Sequence, residues 1–226
     1  MIELTHKHKK LWIESGILNN IYDKNKNVIP INGKKDSIES RAKHFAKLKA
    51  IEENTNLTLK NAQTSDTYKF VIGAMMETLA EFYLKLFELS NHNLRFIEDT
   101  SEDQFERGYD YTGMAGIHGD IPIQIQIKWR DDAKHIFTKS DLWTMWNRAL
   151  EENIKPKNLY LVVISSKETK GSNVLHYKEG FKEEWAPKMK IITGANMRDN
   201  IYTLQSNRDL SPFEEFWFTF KECLNK

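Results

Sequence analysis

Residues 121–129 alternate strictly, with Ile121, Ile123, Ile125, Ile127 and Trp129 on one parity and Gln124, Gln126 and Lys128 on the other. Successive side chains of a strand leave opposite faces, so the segment reads as a β-strand with one apolar face. The run LYLVVIS at 159–165 is apolar up to its last residue. That is the pattern of a strand covered on both faces. Together the two segments require a layer on each side of a sheet.

The other elements supply those layers. Residues 5–22 read as a helix through Leu11, Trp12, Ile17, Leu18 and Ile21, and Asn32-Gly33 then marks a turn. A second helix is expected over about 37–54, starting at Ser37. Residues 66–89 form the longest candidate, capped by Asp66 or Thr67 and apolar on most sides, as a helix buried on more than one face must be. Glu77 and Glu81 lie one turn apart inside it, on one stripe. A strand is expected at 94–98, then an acidic loop, and a short strand beginning at Tyr109-Asp110-Tyr111. Gly113, Gly116 and Gly119-Asp120 would make a hairpin turn into the alternating strand. A helix over 140–153 follows, carrying Trp143 and Trp146. Weaker strands are read at 190–193 and 200–204, and a last helix begins with Ser211 as cap and Pro212 in its first turn. Strands in the middle with helices on either side predict an α/β fold, a central mixed β-sheet flanked by helices.

Composition narrows the function classes. With 226 residues, 40% hydrophobic and 29% charged, the chain is long enough for one large domain or a domain with an appendage. Its formal net charge is only +1, so contact with a polyanion must come from local clustering. Residues 1–50 supply such a cluster, a net +6 with three histidines besides. That segment reads equally as a solvated helical face. Residues 1–60 are accordingly read as a basic helical N-terminal segment for DNA binding or dimerisation, and 61–226 as the body. The one cysteine, Cys223, excludes an internal disulfide and a Cys-based zinc site, and fits a reducing, cytoplasmic setting. No run reaches the roughly 20 apolar residues that span a bilayer, and the N-terminus lacks the apolar core of a secretory signal. No phosphate-binding glycine loop or nucleophile elbow occurs, which disfavours a small-molecule enzyme.

The polar parity of the alternating strand has two readings. One is an exposed strand face. The other is a site, in which Gln126 and Lys128 share a face with Asp110 across the glycine hairpin. A carboxylate, an amide oxygen and an ammonium would then converge. Oxygen ligands of this kind suit a hard divalent cation. Glu81 also has a plain alternative, a surface ion pair with Lys85 at i+4. His6 and His8 have no partner at metal-ligand spacing.

The order G-Y-D at 108–110, glycine hairpin, and Q-I-K at 126–128 on an apolar strand resembles the core of the PD-(D/E)xK nuclease superfamily. The similarity is to the restriction-endonuclease-like, Mrr-like branch in which glutamine opens the (E/Q)xK pair. Gly73-Ala-Met-Met76-Glu77-Thr-Leu-Ala80 resembles that family's first-helix motif, and the segment IQIKWRDDAKHIFTKSDLWTMW with LYLVVIS its strand–helix–strand continuation. The resemblance covers about residues 68–166. Tyr109 stands where the family places proline, and Gln126 brings one negative charge less than a glutamate. It implies a restriction-endonuclease-like core in which Asp110, Gln126, the main-chain oxygen of Ile127 and Glu77 hold Mg²⁺, with Mn²⁺ as an alternative. Glu81 is the second choice for the helix acid. Lys128 would position the attacking water. Arg130, Lys134, Lys139, Lys34 and Lys35 are candidate contacts to the DNA backbone. The implied protein is an Mg²⁺-dependent endonuclease of restriction type or of a phage or mobile element, acting on duplex DNA as a homodimer. The alternative is a non-catalytic DNA- or protein-binding module on the same fold.

Overall fold

The computed structural model describes residues 2–31, 35–88, 94–99, 110–116, 118–130, 136–137, 139–165, 176–177, 190–205 and 207–226. Among these, the strands are β1 (Leu94–Asp99), β2 (Tyr111–Ala115), β3 (Ile121–Arg130), β4 (Ile136–Phe137), β5 (Leu159–Ser165), β6 (His176–Tyr177) and β7 (Lys190–Thr193). The helices are α1 (Lys10–Ser15), α2 (Ile38–Glu53), α3 (Asp66–Tyr83), α4 (Lys139–Glu151), α5 (Gly194–Tyr202) and α6 (Pro212–Leu224). A π turn, Leu84–Glu88, extends α3. The chain is a mixed α/β protein.

Five strands make one sheet in the order β1-β2-β3-β5-β7, while β4 and β6 pair separately. The sheet is mixed: β1, β2 and β3 are antiparallel, and β3, β5 and β7 run parallel. A parallel pair needs a crossover, and α4 lies within the one between β3 and β5. This overturns the reading of Gln124 and Gln126 as an exposed strand face. Both are buried. Gln124 pairs in register with Leu159 and Gln126 with Leu161, so they share the β5 face that holds those leucines. The Gln124 amide donates to Glu152, just past α4, at 2.8 Å. Ile125, Ile127 and Trp129 pair with Tyr160, Val162 and Ile164, and Ile123, Ile125 and Ile127 join the main core, whereas Ile121 is exposed.

Helix α3 is the centre of that core. It buries Tyr68, Val71, Ile72, Met75, Met76, Leu79, Phe82 and Tyr83, residues spread around most of its circumference. Ala42, Ala46 and Ala50 of α2 recur every four residues and are fully buried, which lets α2 approach α3 closely. Phe82 meets Phe216 and Phe220 of α6 at 5.1 and 4.9 Å between ring centroids. One apolar cluster runs from Leu4 to Leu224, so residues 1–60 share the core of the body rather than a separate one.

Four local expectations are corrected. Helix does not run over 5–22: α1 ends at Ser15 because Gly16 adopts the left-handed region at φ 63°, and a 3₁₀ turn, Ile17–Asn19, follows. The apolar residues that suggested one helix are all buried in this broken form. The cap of α3 is Ser65, whose side chain accepts from the Tyr68 amide, not Asp66 or Thr67. Gly113 belongs to β2, paired with Ile123, and the turn is left to Gly116 and Gly119, both at positive φ. Residues 200–204 are not a strand: Asn200–Tyr202 are the end of α5. Short apolar runs do not distinguish the two by periodicity. The Asn32-Gly33 turn and residues 100–108 of the acidic loop read at 99–108 lie outside the described residues, while Asp99 ends β1.

Candidate metal centre

The geometry begins where β2 leaves β3. The two strands pair only through Tyr111–Ile125, yet β3 runs on to Arg130 beside β5. Asp110 stands one residue before β2, at this opening. Its N–H donates to Ile125 O at 2.8 Å. Its Oδ2 accepts from the Gln126 side-chain amide at 2.7 Å and from the Ile127 N–H. A carboxylate therefore satisfies an amide that a neighbouring strand would otherwise have to satisfy.

Electrostatics follow from that placement. The Asp110 carboxyl is pushed up from 3.8 to about 7, first by burial and second by the negative charge of Glu77. The Ile127 amide, the Lys128 ammonium and the Gln126 amide oppose the shift. Lys128 lies two residues beyond Gln126 on the same parity of β3. The structure thus brings Asp110, Gln126, Ile127, Lys128 and Glu77 to one place. Two acids, Asp110 and Glu77, and one ammonium, Lys128, share this site.

The two acids of α3 divide sharply. Glu81 is fully buried and fully occupied. Its Oε1 accepts from Thr5 N at 2.6 Å, Thr5 Oγ1 at 2.7 Å and Lys85 Nζ at 2.6 Å, and its Oε2 from His6 N at 3.0 Å. The Glu81–Lys85 pair is real, but it is buried rather than a surface pair, and it ties the N-terminal segment to α3. Lys85 also donates to Glu3 O at 2.6 Å. Glu77, one turn back, is 27% exposed and faces Asp110 electrostatically. Its Oε2 meets His6 Nε2 at 3.1 Å.

These groups fit a hard cation on one observation: the Asp110 carboxyl, raised first by burial, also feels the repulsion of Glu77. A divalent ion between them would relieve it, with the Gln126 amide and the Ile127 carbonyl as neutral oxygens. Among the described residues no three His, Cys, Asp or Glu side chains group around one point. Such an ion would rest on two carboxylates, which suffices for Mg²⁺ with its retained waters.

The candidate DNA contacts scatter. Arg130 ends β3 and Lys139 begins α4. Lys34 and Lys134 lie outside the described residues. Lys35 is exposed and lines an open cleft with Arg41, His44, Phe45 and Leu48 of α2 and Ile17. Part of the N-terminal charge is already paired: Lys43 with Glu39 at 3.0 Å and over the Trp129 ring at 5.1 Å, Lys49 with Glu52 at 3.2 Å.

Sequence reasoning missed His6. Its partners, Glu77 and Thr78, lie 71 and 72 residues away, so no local spacing signals it. Comparison with family models, curated proteins and solved structures finds no match to this chain.

Proposed function

We propose that this protein is an Mg²⁺-dependent DNA endonuclease on a restriction-endonuclease-like core, of restriction type or from a phage or mobile element. The observation that carries the reading is the convergence of Asp110, Gln126, Ile127, Lys128 and Glu77 where β2 parts from β3. Asp110, Glu77, the Gln126 amide and the Ile127 carbonyl would hold the cation. Bound there, Mg²⁺ would acidify a water and neutralise charge on a phosphodiester. Lys128 would orient that water and meet the charge that develops on the phosphate oxygens. The partial burial of Asp110 keeps the site in a low dielectric, where these interactions are stronger than in water. The basic residues of α2 and the N-terminal segment would hold the backbone of duplex DNA. Cleavage of both strands by one-site subunits is most simply done by a twofold homodimer.

One observation favours a second reading, a nuclease-like fold that binds DNA or a protein without cutting. The Gln126 nitrogen already donates to Asp110, so the pair is satisfied with no cation present. Purified protein incubated with supercoiled plasmid separates the two. Cutting that requires Mg²⁺ and stops in EDTA supports the nuclease; retention of uncut DNA in a mobility-shift assay supports the binding module.

A further inference from the structure

His6 is buried to 2% exposure in a segment with no regular secondary structure, and every polar atom of its ring and its backbone N–H is engaged. The His8 N–H lies 3.1 Å from Nδ1 and can only donate. Thr78 Oγ1 stands 3.0 Å from Nδ1, with its own proton directed at Ala74 O at 2.8 Å. On the other side of the ring the Glu77 carboxylate is an acceptor, so a proton on Nε2 completes that contact. Nε2–H then points to Glu77 Oε2 at 3.1 Å. The backbone of the same residue is held by Glu81. One acid of α3 thus anchors the segment, and the segment's imidazole grips the other acid.

We infer that His6 is a positioning residue of the metal centre: its Nε2–H fixes Glu77 Oε2 and leaves Oε1 for the cation. A partly exposed glutamate on a helix samples several rotamers, and freezing it on binding costs conformational entropy. His6 removes that cost before the ion arrives. Hydrogen-bond partners that orient metal-binding carboxylates act in this way. The N-terminal segment is then part of the site as well as of the core. This inference rests on the metal-dependent reading above.

Two variants of the full chain test it. His6→Asn places an amide oxygen where Nδ1 was, keeps the contact with His8 N–H, and cannot reach Glu77. His6→Gln places an N–H at the reach of Nε2. Mn²⁺ binding is measured by paramagnetic resonance of the free ion, with thermal melting in parallel and Asp110→Ala as control. The expected result is about 10-fold or more weaker Mn²⁺ binding in His6→Asn and a change of no more than about threefold in His6→Gln, with both variants melting cooperatively. If both bind as the wild type does while Asp110→Ala loses the ion, the role of His6 is overturned and the metal centre stands. If the wild type itself binds no Mn²⁺, the metal reading fails and the inference fails with it.

Discussion

The Asp110 carboxylate accepts the Gln126 side-chain amide at 2.7 Å, just beyond Tyr111–Ile125, where the antiparallel pairing of β2 with β3 ends. Neither strand alone makes this contact. It depends on β3 continuing past its first neighbour to run beside its second.

The raised Asp110 pKa has a consequence for stability. Its folded value, about 7, lies above the ordinary 3.8, so between those values the folded protein holds a proton that the unfolded chain has released. Stability therefore falls as pH rises through this window, and the full penalty is present above pH 7. Asp110→Asn removes the charge and keeps an oxygen for the Ile127 and Gln126 donors. In urea denaturation without metal, Asn should exceed wild type by about 1–3 kcal/mol at pH 8 and match it near pH 4. A gain that is the same at both pH values contradicts this.

The same proton competes with a cation. Below pH 7 a divalent ion must displace it from Asp110, so Mn²⁺ affinity should fall by about tenfold per pH unit there and level off above. Titration of free Mn²⁺ between pH 5.5 and 8.5, by about half-unit steps, reads the slope. A flat profile would show that Asp110 does not ligate.

Glu81 and Glu77 should behave differently although they are one turn apart. Glu81→Ala leaves the Lys85 ammonium buried without its carboxylate and strips the Thr5 and His6 amides of their acceptor. A loss of about 3–5 kcal/mol is expected, and the double change Glu81→Leu with Lys85→Met should lose less. Glu77→Gln, in a part-exposed position, should cost less than about 1 kcal/mol. Denaturant midpoints of the variants measure this, and equal losses at the two acids would refute the division.

Trp12 measures how far the N-terminal segment belongs to the fold. The ring is almost fully buried, its Nε1–H donates to Met75 O at 2.8 Å, and it packs on Phe220 at 5.3 Å. Trp12→Ala should cost about 3–5 kcal/mol in chemical denaturation. A loss below about 1 kcal/mol would mean that residues 1–20 dock loosely on an independently stable body.

What the sequence revealed and hid follows from range. The alternation at 121–129 and the apolar run at 159–165 became β3 and β5 because strand periodicity is local and both faces of a parallel strand are covered. Ser211, Pro212 and Glu214 mark the start of α6, where a capping box is present. Gly16 stops α1 in the middle of an apolar pattern, so a backbone conformation outweighed the periodicity that predicted a longer helix. The face of Gln124 and Gln126 depends on where the crossover helix lies, which alternation does not encode. Of the candidate site, Asp110, Gln126, Ile127, Lys128 and Glu77 could be named from motif order. His6 could not, because the contact that places it against Glu77 spans 71 residues.

The most direct test of the central claim is the rate at which wild type, Asp110→Ala and Lys128→Ala convert supercoiled plasmid to nicked and linear forms in Mg²⁺. The expected result is cleavage by the wild type, none in EDTA, and a loss of about a hundredfold or more in each variant while both still melt cooperatively. Undiminished cutting by either folded variant, or no cutting by the wild type under any divalent ion, would contradict it.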